Sequence, residues 1–337
     1  MVVGQRPGGV DPIGRRTVHR SLDPTASAST HSGAPGQGLA ERLIGNLGRR
    51  FVIGVPMVFL LLVFALPFLV VFRISVSETD GVQFGDLLTW QDGVLQFRIK
   101  LGNYFTVLFG DDLYLRAYLS SLWFAALTTV ICLLIGYPFA YFLARSRPGI
   151  RPALLMLLML PFWTSFLLRV YAWKMLLADN GVFNNIALAF GLLEEPLKMM
   201  NTPFSLTLGM VYTYLPFMVL PLYANLVKLD LRLLEAAQDL GASPWQAFWR
   251  ITVPLSRSGI IAGALLVFIP CVGEYVIPEL LGGPETLMIG RVLWDEFFAN
   301  NDWPMASSVA VVMVLLIMVP LALFNKYQAE SSTGAGK

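Results

Sequence analysis

The sequence has few ionisable residues for its length. Only 14% of its 337 residues are charged, whereas a soluble globular chain has about 25%. Hydrophobic residues make up 56%, and the mean hydropathy is +0.64. This composition excludes an ordinary soluble domain and predicts a polytopic membrane protein.

Histidine and cysteine are almost absent, which limits the chemistry that the chain can perform. His19 and His31 both lie in the N-terminal tail, so the rest of the chain has no imidazole for base catalysis or metal binding. Cys132 and Cys271 each fall inside an apolar run, where we expect packing and not a disulfide or a metal pair. We therefore expect no catalytic residues and no metal site.

The sequence also lacks a nucleotide-binding motif. No Gly-rich phosphate loop occurs, and the only Gly-Lys pair is formed by the last two residues, Gly336 and Lys337. If ATP drives this protein, another chain binds it, so we expect no cofactor on this chain. We also expect no nucleic-acid partner.

The sequence contains long apolar runs, which begin after a polar first segment. Residues 1–50 are rich in Gly, Ser, Pro, Thr and Arg without an apolar period, which predicts a disordered cytoplasmic N-terminal extension. Six segments then approach or exceed the ~20 residues that a helix needs to cross a bilayer. They are Phe51–Phe72, a span within Ala117–Ala144, Pro152 to about Leu177, a span within Met199–Val227, about Ser258 to Leu281, and Trp303–Asn325.

These segments predict an all-α polytopic protein with six transmembrane helices. We place the membrane domain at residues 51–328 and a short cytoplasmic tail at 329–337. Lys and Arg are concentrated in the N-terminal tail and in the second and fourth loops, while acidic residues are richer in the odd-numbered loops. By the positive-inside rule, both termini are expected to be cytoplasmic. The acidic outer face suits a cationic solute.

The fourth loop, residues 229–257, contains two short helices joined by a tight turn. Between Leu234 and Pro254 it reads LEAAQDLGASPWQAFWRITVP. Asp230 can cap the first helix, and Gly241 can end it in a left-handed conformation. Ser243 with Gln246 three residues later predicts a capping box for the second helix, which Pro254 is expected to stop.

This loop resembles the loop that defines the membrane subunits of bacterial ABC importers. Their pattern is Glu-Ala-Ala, three residues, Gly, nine residues, Ile, any residue, Leu-Pro. It falls here on Glu235, Ala236, Ala237, Gly241, Ile251 and Pro254, with Val253 in place of Leu. The resemblance implies that the loop is a coupling helix received by an ATPase subunit. The alternative is an ordinary helical hairpin between two membrane spans.

Two ionisable residues are expected deep in the membrane, where each needs a partner or a use. Residue counting places Arg169 in the third span and Glu274 in the fifth at similar depth. They can form a structural ion pair, or Glu274 can face the transport pathway as a counter-ion for a passing ammonium group. Prolines and glycines around Glu274 predict a broken helix that gates this pathway.

Aromatic side chains near this depth are candidates for the pathway, because their faces attract alkylammonium groups. They are Tyr275, Trp163, Tyr212 and Tyr214. The alternative for each of them is packing or a position in the interfacial aromatic belt.

Several separate stretches resemble the permeases of the spermidine/putrescine type, and most closely the putrescine-type permease subunit. They read GEYVIPELLGG, MIGRVLW, DWPMASSVAVV, LIGYPFAYFLA and LPFWTSFLLRVYAW, within residues 50–330. The resemblance implies a type I ABC importer permease fold in the bacterial inner membrane and alternating access for a polyamine. It also implies a heterodimer with a second permease, two cytoplasmic ATPase subunits that carry ATP and Mg²⁺, and an external solute-binding protein.

Two alternatives remain from sequence. The chain can be an ABC importer permease for another small solute, or an ion-coupled secondary transporter, which would need a relay of intramembrane acids and internal repeats. One deep acid and no repeat are visible.

Overall fold

The structure is a computed structural model that describes residues 51–77, 79–80, 83–84, 88–91, 94–97 and 100–334. The predicted disordered extension, residues 1–50, lies outside the described residues. The chain divides into two units, Met1–Leu62 and Val63–Lys337. The described part of the first unit is helical.

The described residues are mostly helical, with two short hairpins in the first loop. The hairpin strands are β1 (Thr79–Asp80), β2 (Gln83–Phe84), β3 (Leu88–Gln91) and β4 (Val94–Phe97), paired antiparallel as β1 with β2 and β3 with β4. The helices of the first half are α1 (Phe51–Ser75), α2 (Gly102–Phe105), α3 (Asp112–Arg145), α4 (Arg151–Trp163), α5 (Phe166–Leu177) and α6 (Val182–Ala189). Those of the second half are α7 (Pro203–Leu226), α8 (Arg232–Asp239), α9 (Pro244–Leu255), α10 (Arg257–Val272), α11 (Val276–Leu281), α12 (Ile289–Trp294) and α13 (Trp303–Gly334).

Within the described residues, four helical stretches are long and apolar enough to span a membrane: Phe51–Ser75, Asp112–Arg145, Pro203–Leu226 and Trp303–Ala322. Two bent pairs raise the count to as many as six if each pair is one span. The all-α polytopic prediction is confirmed. The third predicted span bends by 86° between α4 and α5, and a bend of 65° separates α9 of the fourth loop from α10, which begins the fifth predicted span.

The C-terminal boundary also differs from the prediction. The last helix, α13, continues through the predicted end of the sixth span and reaches Gly334. Residues 329–334 of the predicted tail are therefore a continuation of this helix.

The core of the second unit is formed where α3, α7 and α10 pack together. Its fully buried side chains include Leu143, Met218, Leu222, Val267 and Cys271. Small residues allow these helices to approach closely: a Cβ at Gly263 would lie 2.8 Å from the Met218 sulfur. Both cysteines are free and buried, as expected of packing residues.

Candidate coupling elbow and broken-helix site

The elbow, which we define as residues 230–256, begins with α8. The Asp230 carboxylate accepts a hydrogen bond from the Arg232 N–H at 3.0 Å, so it caps the helix start as predicted. At the other end the Ala242 N–H donates to the Ala237 carbonyl, and the Gly241 N–H donates to the Gln238 carbonyl. This is the Schellman arrangement, which requires a left-handed residue. Gly241 supplies it with φ +85°.

The second helix of the elbow, α9, starts with the predicted capping box. The Gln246 N–H donates to Ser243 Oγ at 3.3 Å, and the Ser243 N–H donates to Gln246 Oε1 at 3.0 Å. Pro244 occupies the first helical position, where its missing N–H costs nothing. Two capped helices around one glycine give the elbow a defined shape.

The prediction that Pro254 stops the second helix is wrong by a small margin. A π-helical turn, Phe248–Thr252, precedes Pro254, and the helix continues to Leu255. The extra residue of the π turn accommodates the missing proline N–H within the helix, and the 65° bend follows at Ser256.

The six motif residues are distributed over both helices of the elbow. Glu235, Ala236 and Gly241 are exposed, whereas Ala237, Ile251 and Pro254 are half-buried. Large apolar side chains are exposed beside them: Leu240 is 90% exposed and Trp245 is 69% exposed. Both side chains are therefore available for contact with lipid or with another chain.

The inner side of the elbow is fixed to α3 by aromatic contacts that sequence reasoning missed. The Phe248 ring meets the Tyr137 and Tyr141 rings edge-on, each with centroids 5.6 Å apart. The Tyr137 hydroxyl is hydrogen-bonded to the Ser256 hydroxyl at 2.8 Å. The spacing of Trp245, Phe248 and Trp249 along one helical face is the sequence signal that could have indicated this anchor.

Beyond the elbow, α10 ends at the predicted break. Residues 273–275 are not helical, and α11 resumes at Val276. Glu274 lies in this break, half-buried. Its Oε2 accepts a hydrogen bond from the Tyr214 hydroxyl of α7, and its Oε1 accepts from the Val276 N–H at 3.1 Å and the Ile277 N–H at 3.5 Å.

The carboxylate of Glu274 therefore has a structural role at the helix break. It satisfies N–H groups at the start of α11 that have no helical partner, and a negative charge is favourable there. The Tyr214 bond ties this cap to the neighbouring helix α7. We call this arrangement the Glu274 cap.

The predicted pairing of Arg169 with Glu274 is wrong among the described residues. The Arg169 guanidinium lies instead over the Phe162 ring at 5.1 Å, and its Nε and Nη1 have no hydrogen-bond partner among the described residues. The physical reason is that both spans are broken. Residue counting gives membrane depth only along a straight helix, and Arg169 follows the 86° bend between α4 and α5.

The other aromatic candidates lie in different surroundings. Trp163 is 74% exposed at the bend after α4. Tyr212 packs edge-on against Trp173 with centroids 5.3 Å apart, and Tyr275 stacks on Trp294 with centroids 4.3 Å apart. Of the predicted aromatic set, only Tyr214 bonds to Glu274, while Tyr275 adjoins it in sequence.

One helix connects the two parts of the site. The elbow ends at Ser256, α10 covers the next 16 residues, and the Glu274 cap follows directly. At 1.5 Å per residue, α10 is about 24 Å long. A single helix, which contains Pro270, therefore joins the elbow to the break.

Comparison with known proteins decides the family. Residues 133–331, which contain the elbow and the break, match the family described as the inner membrane component of binding-protein-dependent transport systems. The chain belongs to this family. It is thus a multi-pass inner-membrane transport component, and the matched region includes α7, α8, α9, α10 and α11.

Individual relatives of this inner-membrane component agree. The chain is 39% identical to the spermidine/putrescine transport system permease protein PotB of Haemophilus influenzae, over 86% of this chain and 96% of the relative. It is 43% identical to PotB of Escherichia coli over 66% of this chain and 81% of that one. The resemblance to polyamine-type permeases is therefore confirmed.

The fold has been seen in a solved importer. A bacterial alginate ABC transporter in complex with an alginate pentasaccharide-bound periplasmic protein aligns with a TM-score of 0.61 at 19% identity, covering 85% of this chain and 96% of that one. At this identity the likeness concerns the fold alone. It confirms the predicted ABC importer permease fold.

The contacts of Glu274 predict which mutations interact. We expect Tyr214→Phe and Glu274→Ala to be non-additive in unfolding free energy, by about 0.6–1.7 kcal/mol, because each removes the same hydrogen bond. Arg169→Met and Glu274→Ala should add to within about 0.3–0.5 kcal/mol, because they share no contact. Double-mutant cycles of unfolding in mild detergent measure both.

The second cycle is the matched control for the first, since both contain Glu274→Ala. A larger coupling for Arg169 than for Tyr214 would contradict the arrangement described above.

Proposed function

We propose that this chain is the permease subunit of an ATP-driven importer that carries a polyamine, putrescine or spermidine, across the inner membrane by alternating access. The observation that carries the proposal is the 39% identity to a spermidine/putrescine permease over 86% of the chain. The exposed elbow and the capped break support the proposal. The elbow provides a surface that an ATPase subunit can bind, and the break provides a point at which the membrane helix can bend.

The partners in this proposal are the usual ones of such an importer. They are a second permease subunit that completes the pathway, two ATPase subunits at the elbow, and a solute-binding protein on the opposite side. ATP and Mg²⁺ belong to the ATPase subunits in this proposal, and this chain binds no cofactor. The solved alginate importer, which was obtained with a periplasmic protein, supports the last of these partners.

The proposed orientation places both termini and the elbow in the cytoplasm. The support is the charge of the sequence: Arg145 ends α3, Arg147 and Arg151 follow it, and Arg250 and Arg257 lie in or next to the elbow. This orientation presents the exposed apolar side chain of Leu240 to the ATPase. The hypothesis of an ordinary hairpin gives no reason for such exposure.

In the proposed mechanism, closure of the ATPase dimer displaces the elbow. The contacts of Phe248 with Tyr137 and Tyr141 carry this displacement to α3, and α10 carries it to the Glu274 cap. When α10 moves relative to α7, the bond between Tyr214 and Glu274 breaks, and the carboxylate becomes available to a cargo ammonium group. The resting state restores the cap.

The Glu274 carboxylate also favours a cationic cargo. Glu274 is half-buried and offers a negative charge, and the next residue in the chain, Tyr275, stacks on Trp294 and offers aromatic faces. A carboxylate and aromatic faces both suit an alkylammonium ion. The fold alone does not choose the cargo, since the solved relative is an alginate transporter. Another small solute is therefore the second candidate, and the assay below separates the two.

Substitution of Gly241 tests whether the elbow couples transport to ATP. An alanine at this position would have φ +85°, which costs about 1–2 kcal/mol of backbone strain. Its added Cβ would not clash, because no other atom lies within 4 Å of that point. We expect Gly241→Ala to lower ATP-dependent putrescine uptake at least tenfold, while the protein remains in the membrane fraction. Uptake of labelled putrescine by cells or vesicles measures this.

Gly191 provides a matched control, because it has φ +67° and equally open surroundings but lies outside the elbow. Gly191→Ala should therefore retain normal uptake. Unimpaired uptake by Gly241→Ala, or an equal loss in both variants, would contradict the coupling role.

Substitution of Glu274 tests the cargo. Glu274→Gln keeps one accepting oxygen, which can accept from the α11 N–H groups, while its amide NH2 can donate to the Tyr214 hydroxyl oxygen; it removes the negative charge. We expect the KM for putrescine uptake to rise at least tenfold, because the ammonium group loses its counter-ion.

The control is Glu279→Gln, five residues further on, whose carboxylate is already paired with Arg291 at 2.9 Å. Its KM should change less than threefold. An unchanged KM in Glu274→Gln would restrict Glu274 to its capping role and reject it as the cargo site.

A further inference from the structure

A groove outside the proposed pathway lies between the end of α3 and α9. Its volume is about 630 Å³. Its lining is almost wholly hydrocarbon and aromatic ring, and includes Leu133, Leu134, Tyr141, Trp245, Trp249 and Ile260. Trp245 and Trp249 are 69% and 52% exposed, so the groove is open on this side.

The chain segments that line this groove carry arginines and no acidic residue. Residues 137–151 and 244–260 contain no Asp or Glu. They contain five arginines: Arg145, Arg147, Arg151, Arg250 and Arg257. None of these arginines forms an ion pair with any residue that the structure describes. The rim of the groove therefore favours an anionic group.

Arg145 is the arginine that the contacts tie to the groove. Its guanidinium lies 5.2 Å from the centroid of the Tyr141 ring, and Tyr141 lines the groove. Its Nη2 has no hydrogen-bond partner among the described residues. The Arg145 guanidinium thus lies at the edge of the apolar groove, and no acidic side chain among the described residues pairs with it.

The dimensions fit one leaflet of a bilayer. Leu133 and Arg145 are 12 residues apart on a continuous helix, which corresponds to about 18 Å along its axis. The hydrocarbon of one leaflet is about 15 Å thick, half of the total. Tyr141 lies one turn before Arg145 on α3, so an aromatic residue occupies the level between the apolar lining and the arginine, as is common at membrane interfaces.

We propose that this groove binds an anionic phospholipid, with an acyl chain along the apolar lining and the phosphate at Arg145. Hydrocarbon and ring surfaces on one side and an unneutralised cation at the end match such a lipid. An acidic protein surface would match the arginines but would leave the apolar lining without a partner. Because the groove includes α9, a lipid bound there would contact the elbow.

Tryptophan quenching by brominated lipids tests this proposal on the full chain in nanodiscs. The bilayer contains phosphatidylglycerol and phosphatidylcholine at fixed ratio, with either one brominated on its acyl chains. The chain has 8 tryptophans, so the groove signal is the difference between the wild type and Trp245→Phe/Trp249→Phe. We expect brominated phosphatidylglycerol to quench this signal at least threefold more efficiently than brominated phosphatidylcholine.

Arginine variants then assign the selectivity. Arg145→Gln should lower the ratio of quenching by brominated phosphatidylglycerol to quenching by brominated phosphatidylcholine to about one. Arg145→Lys should retain the wild-type ratio, because it keeps the positive charge. The pair of variants therefore separates loss of charge from a folding defect. Arg116→Gln, at the other end of the same helix, should leave the ratio unchanged. The signal of Trp123, which is 64% exposed on α3, serves as the reference for unselective lipid contact.

Two results would overturn the proposal. Equal quenching of the groove signal by both lipids would show ordinary contact with the bilayer. Absence of quenching by either lipid would show that protein covers the groove, as expected if a partner subunit occupies it.

Discussion

A helix that breaks within a membrane leaves backbone N–H groups that must find partners, and this constraint shapes the centre of the molecule. At the end of α10 the partner is the Glu274 carboxylate, which accepts from the N–H groups of Val276 and Ile277 and from the Tyr214 hydroxyl. One side chain thus keeps a broken helix in place and ties it to α7. Any movement that opens the break must first disturb these bonds.

The rest of the architecture connects this break to the exposed elbow. The elbow is held in shape by the Schellman turn at Gly241 and the capping box of Ser243, and it is fixed to α3 through Phe248. Since α10 begins directly after the elbow and ends at the Glu274 cap, one helix joins the two. This gives a physical reason for a transport family to combine an exposed loop with a broken membrane helix.

Local features of this chain were predictable from sequence, and long-range contacts were not. The caps at Asp230 and Ser243, the left-handed Gly241 and the break near Glu274 follow from short-range rules of glycine, proline and capping side chains. The Arg169 pair failed because depth was counted along helices assumed to be straight. The Tyr214 bond and the Phe248 anchor join residues 60 and more than 100 positions apart, which no local pattern specifies.

The most direct test of the account is the ATPase activity of the assembled complex in proteoliposomes, with its binding protein outside. It is titrated with putrescine, spermidine, a neutral amino acid and an anionic solute. We predict stimulation by one or both amines and by neither of the other solutes, because the proposed pathway presents a carboxylate and aromatic rings. Stimulation by the neutral or anionic solute would contradict the polyamine assignment, and failure of the chain to assemble with any ATPase subunit would contradict the importer itself.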